Sequence, residues 1–299
     1  MPDNDNSMPP SPSERIHARP PALESFLHGA AGTSLPDSLA WKDGMWAGPS
    51  SVVNYPDDGH DVLPIDPSNW WYAHRAAVVV SALNRTPIWP RVIWDVGGGT
   101  GLMEPALRAA GWRTALVEPV ARAASQAIGR ADLVIAAPLE DLALPDACVP
   151  AIGMFDVLEH LNDPVATLRE CARVLKPGGA VIVTVPSHQW LWSDTDEAAG
   201  HQLRYSPKVL RRHAMDAGLS LTESRRFFVA LVPGAAAMRL ARRRHRDPVA
   251  VLARERAMLN PPAGQARLLK YLVATDRLTA GRLRAPFGLS LLGVLRKTS

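Results

Sequence analysis

Four residues at alternate positions, Asp95, Gly97, Gly99 and Gly101, lie in the segment WDVGGGTG, with Gly98 between them. They follow an apolar run of strand length, PRVIWDV. They precede GLMEPALRAAG, whose spacing is helical and whose Gly111 suits a C-cap. A strand, a glycine turn and a helix put backbone N–H groups at a helix N-terminus, where they suit an anionic or polar ligand group. Glycine lets a ligand lie against bare backbone, because a Cβ would collide with it. The dinucleotide fingerprint G-x-G-x-x-G/A fails: counted from Gly97 its sixth position is Leu102, and counted from Gly99 it is Glu104. Glu118, followed by Pro119, closes the next apolar run about 20 residues after the first glycine. A carboxylate there can accept both hydroxyls of a ribose. Nicotinamide enzymes use the same acid, so Glu118 points to a nucleotide without choosing one. The plain alternative is a tight turn that uses glycine for geometry alone.

The elements that must position these residues read as an α/β chain. From Asn69 onward, NWWYAHRAAVVVSALNR predicts a helix. RTALVEP, ADLVIAAP, CVPAIGMFD and GGAVIVTVP predict the second to fifth strands, with VARAASQAIG and DPVATLRECARVL as helices between them. Lys176-Pro177-Gly178-Gly179 reads as a turn. LSLTESRRFF predicts a sixth strand and LSLLGVLRK a last one, inserted antiparallel beside it. The expected fold is a Rossmann-like, doubly wound, mostly parallel seven-stranded sheet with helices on both faces. Residues 1–64 are rich in Pro, Ser, Asp and Gly and read as a disordered or loosely docked arm in which Trp41 and Trp46 can dock locally. Residues 65–299 form the main domain, with a helical insertion at 229–286.

Composition narrows the function classes. The chain has 299 residues, 47% hydrophobic and 21% charged, an ordinary globular balance. A net charge of +4 with no long basic stripe argues against a nucleic-acid partner. Cys148 and Cys171 lack metal-ligand spacing, and MPDNDNSMPPSPSERIH has no apolar signal core, so a reduced, cytoplasmic setting is expected. The longest nearly apolar run, FFVALVPGAAAMRLA, is too short to span a bilayer.

The acid-x-Gly-x-Gly-x-Gly turn, with PLEDLALPD and FDVLEHLNDPVATLRECARVLKPGGAVIVTVP, resembles class I S-adenosylmethionine-dependent methyltransferases from about Asn69 to Leu221. The resemblance implies S-adenosylmethionine as cofactor, with Asp95 toward its ammonium and Glu118 on its ribose. Leu139 and Glu140 would lie near the adenine. Phe155, Asp156 and Val157 would line the floor, with His160 at the start of the next helix. Relatives often carry an acid where this chain has Ala137-Pro138, so the adenine contact departs from the pattern. In related enzymes an aromatic helix before the first strand covers the cofactor. Trp70, Trp71 and Tyr72 fit that place, and Arg75 would reach the cofactor carboxylate through its bidentate fork.

The segment PSHQWLWSDTDEAAGHQLRYS leaves the carboxyl end of the fifth strand, where open α/β sheets place ligands. It resembles a methyltransferase branch with a WLWS…GH…RY loop. If the acceptor is a hydroxyl, a histidine base is expected. His201 is the first candidate and His188 the second, with Asp194 or Asp196 orienting and Tyr205 nearby. Asp194, Asp196 and a histidine fit no standard metal spacing, so no metal is expected. The insertion can be a substrate cap or a homodimer contact. The cluster Arg242-Arg243-Arg244-His245-Arg246 can meet an anionic membrane surface. The expectation is a methyltransferase acting on a small-molecule or lipid-linked acceptor. The alternatives are a non-catalytic cofactor-binding protein of the same fold and, further off, a nicotinamide oxidoreductase.

Overall fold

The computed structural model describes residues 38–48, 66–241, 251, 257–279 and 285–297. Its strands are β1 (Ala40–Lys42), β2 (Met45–Ala47), β3 (Val92–Val96), β4 (Arg113–Val117), β5 (Leu133–Ala136), β6 (Val149–Phe155), β7 (Leu175–Pro186), β8 (Leu219–Phe227) and β9 (Ser290–Lys297). They form one sheet in the order β1-β2-β5-β4-β3-β6-β7-β9-β8. From β2 to β7 neighbours run parallel, and β9 lies antiparallel between β7 and β8, as the final apolar run predicts.

The sheet has nine described strands rather than the expected seven. The extra pair is a short antiparallel hairpin from the N-terminal arm. Trp41 meets Trp46 edge-on at 5.6 Å, and β2 adds parallel to β5. LKPGG, expected as a turn, is the start of β7. Gly178 has φ +77°, and the register to β6 shifts between Val149 and Ala151, so the strand begins with an irregular kink.

Helices flank both faces: α1 (Trp70–Arg85), α2 (Glu104–Ala109), α3 (Ala121–Gln126), α4 (Pro164–Val174), α5 (Asp194–Ala198), α6 (Pro207–Asp216), α7 (Val232–Ala241) and α8 (Ala263–Thr279). Asn69 caps α1 by accepting from the Trp71 N–H, and Asp163 caps α4 the same way from Ala166. Strands β3, β6 and most of β7 are buried on both faces, which explains their unbroken apolar runs. One core cluster fills the β5-to-β9 side around Trp94, Met154 and Val183, and a second packs α1 against Ile93, Ile182 and Phe227.

The chain runs from β3 outward to β4 and β5, then returns to β6 on the other side of β3. The carboxyl ends of β3 and β6 are therefore the switch point where a crevice opens. Of the 229–286 insertion, α7 and α8 are described, and Asp276 of α8 anchors it. Its carboxylate meets His74 Nε2 at 3.2 Å and accepts from the Val229 N–H at 3.2 Å. Residues Arg242 to Arg246 lie outside the described residues. Among the described residues, no helix is long and apolar enough to cross a membrane.

Candidate active site

The turn after β3 holds Gly97, Gly99 and Gly101 at φ values of +73°, +56° and +74°, which side chains adopt only under strain. The glycines serve two ends. A Cβ on Gly97 would stand 2.7 Å from Val157, on Gly98 2.8 Å from Leu116, and on Gly101 2.9 Å from Ala127. These three let the protein close on itself. At Gly99 a Cβ would meet nothing within 4 Å, so only there does the bare backbone face open space. The expectation that the glycines as a set clear room for a ligand is thereby narrowed to Gly99.

Glu118 closes the turn from the end of β4. Its Oε2 accepts from the Gly99 N–H at 2.9 Å and its Oε1 from the Val120 N–H at 2.8 Å. Burial pushes its carboxyl up, against the pull of these two bonds. A carboxylate oxygen has two lone pairs, so each can still accept a hydroxyl.

Below the turn, Asp95 and Glu104 are buried at 1% and 0% exposure. Among the described residues no other side chain donates to either carboxyl. Burial, and then the neighbouring Glu104, holds the Asp95 carboxyl well above its usual range; burial raises Glu104 too. One proton shared between them turns their contact into a hydrogen bond. The sequence reading missed Glu104, although an acid in the first turn of a helix that opens with proline is a recognisable signal.

The remaining cofactor candidates divide. Leu139 is buried in the core, so its backbone is what it offers a ligand; Glu140 is exposed and accepts from the Thr167 hydroxyl at 3.4 Å. Phe155 packs into the core with Ile93 and touches Gly153, which makes it a support beneath the site rather than its floor. Val157 is half-buried over Gly97, and Pro119 is half-buried beside Glu118. Arg75, expected to be free for a ligand carboxylate, instead pairs with Asp156, whose Oδ1 also accepts from the Thr184 hydroxyl at 3.0 Å. The Arg75 guanidinium lies 5.6 Å from the ring centres of both Trp71 and Tyr72, which ties the aromatic helix to the end of β6.

The loop after β7 is organised around Asp196. Its Oδ1 takes His201 Nδ1 at 2.9 Å and Arg204 Nε at 2.8 Å, and its Oδ2 takes Arg204 Nη2 at 3.0 Å and the Ser193 N–H at 2.7 Å. Burial would raise this carboxyl, but the His201 and Arg204 hydrogen bonds outweigh it and hold it at about 2. Ser193 and Asp196 also form the capping box of α5. Asp196, not Asp194, is thus the carboxylate that orients His201, and Asp194 lines the neighbouring cavity. His160, in the 3₁₀ turn Leu158–His160, packs edge-on against His201 at 4.7 Å. His188 has φ +65° and a buried Nε2 without a protein partner, and its ring lies 5.7 Å from both Trp190 and Phe287. Burial, then Arg226 and Arg204, lowers its pKa, so it is a neutral imidazole at pH 7. Tyr205 is fully buried; its hydroxyl donates to the Leu158 carbonyl at 3.3 Å. It braces the turn that carries Glu159 and His160, which corrects its expected place among the catalytic groups.

Beside this loop lies a cavity of about 810 Å³. Trp70, Trp71, Leu231, Met238, Leu269 and Leu272 give it apolar walls, and Asp194, Thr195 and Arg204 add polar groups to the lining. Trp71 stacks on Phe228 at 3.9 Å, and the Trp70 indole N–H donates to the Leu259 carbonyl at 3.1 Å. The wall is therefore built from α1 and the insertion together.

Crevice, glycine turn and strand-end acid are the features of an α/β fold with a ligand crevice at its switch point, and comparison with known proteins adds to this. Residues 94–183 match the family described as "Methyltransferase domain". A stretch of 54 residues is 46% identical to "Probable S-adenosylmethionine-dependent methyltransferase Rv3030" of Mycobacterium tuberculosis, covering 18% of this chain and 20% of that one. A longer stretch of 147 residues is 32% identical to the ubiquinone biosynthesis O-methyltransferase of Xylella fastidiosa, covering 44% and 60%. The chain thus spans a fifth to three fifths of the length of these relatives. A methyltransferase solved in complex with the Haloferax volcanii Trm112 activator shares the fold, at 21% identity and a TM-score of 0.50 over 77% of this chain and 90% of that one. Over the matched residues the chain is similar to S-adenosylmethionine-dependent methyltransferases.

Proposed function

We propose that this protein transfers a methyl group from S-adenosylmethionine to an acceptor with a large nonpolar part. The observation that carries the reading is the cradle at Gly99. Open space stands where its Cβ would be, and its N–H is held by the carboxylate that must also receive a ribose. Among the described residues no side chain of Lys, Arg or His hydrogen-bonds the buried Asp95–Glu104 pair beneath, which suits a ligand that brings an ammonium group. The residues present therefore fit the cofactor.

When bound, the cofactor supplies an electrophilic methyl group on a sulfonium. Gly97 to Gly101 present the turn, Glu118 accepts the ribose hydroxyls, and the backbone at Leu139 and Glu140 borders the adenine. Arg75 and Asp156 close the wall between turn and cavity. The acceptor lies in the 810 Å³ cavity with its apolar part against Trp70, Trp71 and the insertion, and its reacting end toward the loop after β7. His201, oriented by Asp196, and the neutral His188 are the groups that handle an acceptor proton. Much of the rate comes from aligning acceptor and methyl group. The apolar walls favour a hydrophobic or lipid-linked acceptor met by a protein that visits an anionic membrane surface.

The test is a methyl-transfer screen with isotope-labelled cofactor against lysate metabolites and lipids, read by mass. A labelled product that disappears with Gly99→Arg supports the reading. Calorimetry that finds no binding of S-adenosylmethionine to the wild type removes it.

A further inference from the structure

Glu159, His160 and His201 converge where the turn after β6 meets the loop after β7, apart from the glycine turn. Each offers one ligand atom, and the three atoms lie within 4.8 Å of one another. The two segments are pinned together by the Gln202 N–H, which donates to the Glu159 carbonyl at 2.6 Å.

Charge accounting shows what the cluster lacks. Arg75 is paired with Asp156, and Arg204 grips Asp196 through two bonds at 2.8 and 3.0 Å. Both nearby guanidiniums are thus taken up by other carboxylates. Glu159 is 1% exposed, and neither of its carboxylate oxygens has a hydrogen-bond partner. Such a group must either hold a proton or face a cation. The imidazoles beside it favour a cation that nitrogen can bind. Asp196 takes Nδ1 of His201, which fixes the tautomer and leaves the Nε2 lone pair as a ligand. A carboxylate behind a histidine is the usual outer support of a metal ligand.

We propose that Glu159, His160 and His201 bind one divalent transition ion of the zinc, cobalt or manganese class. Two imidazoles and one carboxylate suit such an ion better than calcium or magnesium, which take oxygen ligands. Ligands at about 2.1 Å from one ion lie no more than ~4.2 Å apart. A cluster within 4.8 Å closes on it by side-chain movements of under about an ångström. Three protein ligands leave a coordination position open, as in catalytic sites. On the methyltransferase reading, an acceptor hydroxyl would take that position and release its proton to His188 or solvent, His201 then serving as a ligand in place of a base. The acceptor oxygen then forms its bond to the methyl carbon as the carbon–sulfur bond breaks, leaving a neutral thioether.

The experiment is a Co²⁺ titration of chelator-treated full-length protein, followed by visible d–d absorption, with Zn²⁺ as competitor. The expected result is one Co²⁺ per chain, displaced by Zn²⁺. Affinity should fall at least tenfold in Glu159→Gln and His201→Ala, and about 10–100-fold in Asp196→Asn, which weakens the outer support while leaving all three ligands in place. Thermal melts of each variant identify any that fail to fold. Glu159→Gln keeps the side-chain shape, so it carries the test if His201→Ala does not fold. Absence of Co²⁺ absorption in the wild type at millimolar metal overturns the site, as does unchanged affinity in a folded Glu159→Gln. Cofactor calorimetry in chelator is read separately: metal binding without S-adenosylmethionine binding would leave the ion site standing and remove the methyltransferase reading.

Discussion

Replacing Asp95 by Asn should change how stability depends on pH. Asp95 and Glu104 occupy one space below the glycine turn, at 1% and 0% exposure, so solvent does little to screen them. Burial, and next the adjacent Glu104, raises the Asp95 carboxyl well above its usual range. Two carboxylates so placed cannot both ionise, and the folded chain keeps a proton that the unfolded chain releases above about pH 4. A raised folded-state pKa gives stability that is fully present below the unfolded pKa and is lost as pH rises toward the folded one. Each proton held only by the folded state lowers the unfolding free energy by about 1.4 kcal/mol per pH unit. Asp95→Asn keeps the shape, and its amide can donate to an ionised Glu104, so the retained proton is no longer needed. Urea denaturation of both proteins at several pH values from about 5 upward checks this. The wild type should lose stability more steeply than Asp95→Asn by about 1.4 kcal/mol per pH unit until the pair gives up its proton. Glu159, also raised by burial and not among the groups acting on Asp95, contributes to both proteins and cancels in the difference. Parallel stability profiles would refute the shared proton.

Three further outcomes are expected. Gly99→Arg should abolish S-adenosylmethionine binding in calorimetry while circular dichroism shows a retained fold, since the side chain fills the cradle and not the core; unchanged affinity would remove the cradle. Glu118→Ala should weaken cofactor binding by about 1–3 kcal/mol, because ribose hydroxyls and the Gly99 N–H lose their acceptor; tighter binding of NADH than of S-adenosylmethionine would overturn the class. His201→Ala should lower kcat by roughly 10²–10⁴ with cofactor affinity intact, whereas an equal loss of cofactor affinity would make His201 a binding residue.

The sheet was legible because its order follows from local signals. Strands β3 to β7 are short apolar runs bounded by Gly, Pro or Asp, and their parallel pairing follows from the helices between them. The hairpin β1–β2 was not legible. Three-residue strands carry almost no periodicity, and what joins them to the sheet is pairing with β5, some 90 residues away by the register Trp46↔Ile135. LKPGG misled for the opposite reason: its Pro-Gly-Gly signals a turn, yet strand pairing resumes at Ala180 and absorbs the irregularity.

The site divides along the same line. The glycine turn and Glu118 stand within one βαβ unit, so their spacing could be read directly. The partners of the charged groups could not, because a buried charge is decided by what packs against it from elsewhere in the chain. Arg75 finds Asp156 across 81 positions, and Glu159 meets His201 across 42. Asp196 shows how fine the difference is. Asp194 and Asp196 stand two apart in one loop and look equivalent in sequence, but the capping box of α5 turns Asp196 inward to His201 and Arg204 and leaves Asp194 on the cavity wall. The helix cap thus selects which carboxylate serves the site. Removing its charge and one of its two acceptor oxygens with Asp196→Asn should loosen His201 and α5 together, whereas Asp194→Asn should leave both in place and change only what the cavity accepts, a contrast that acceptor KM and the His201 ring resonances can separate.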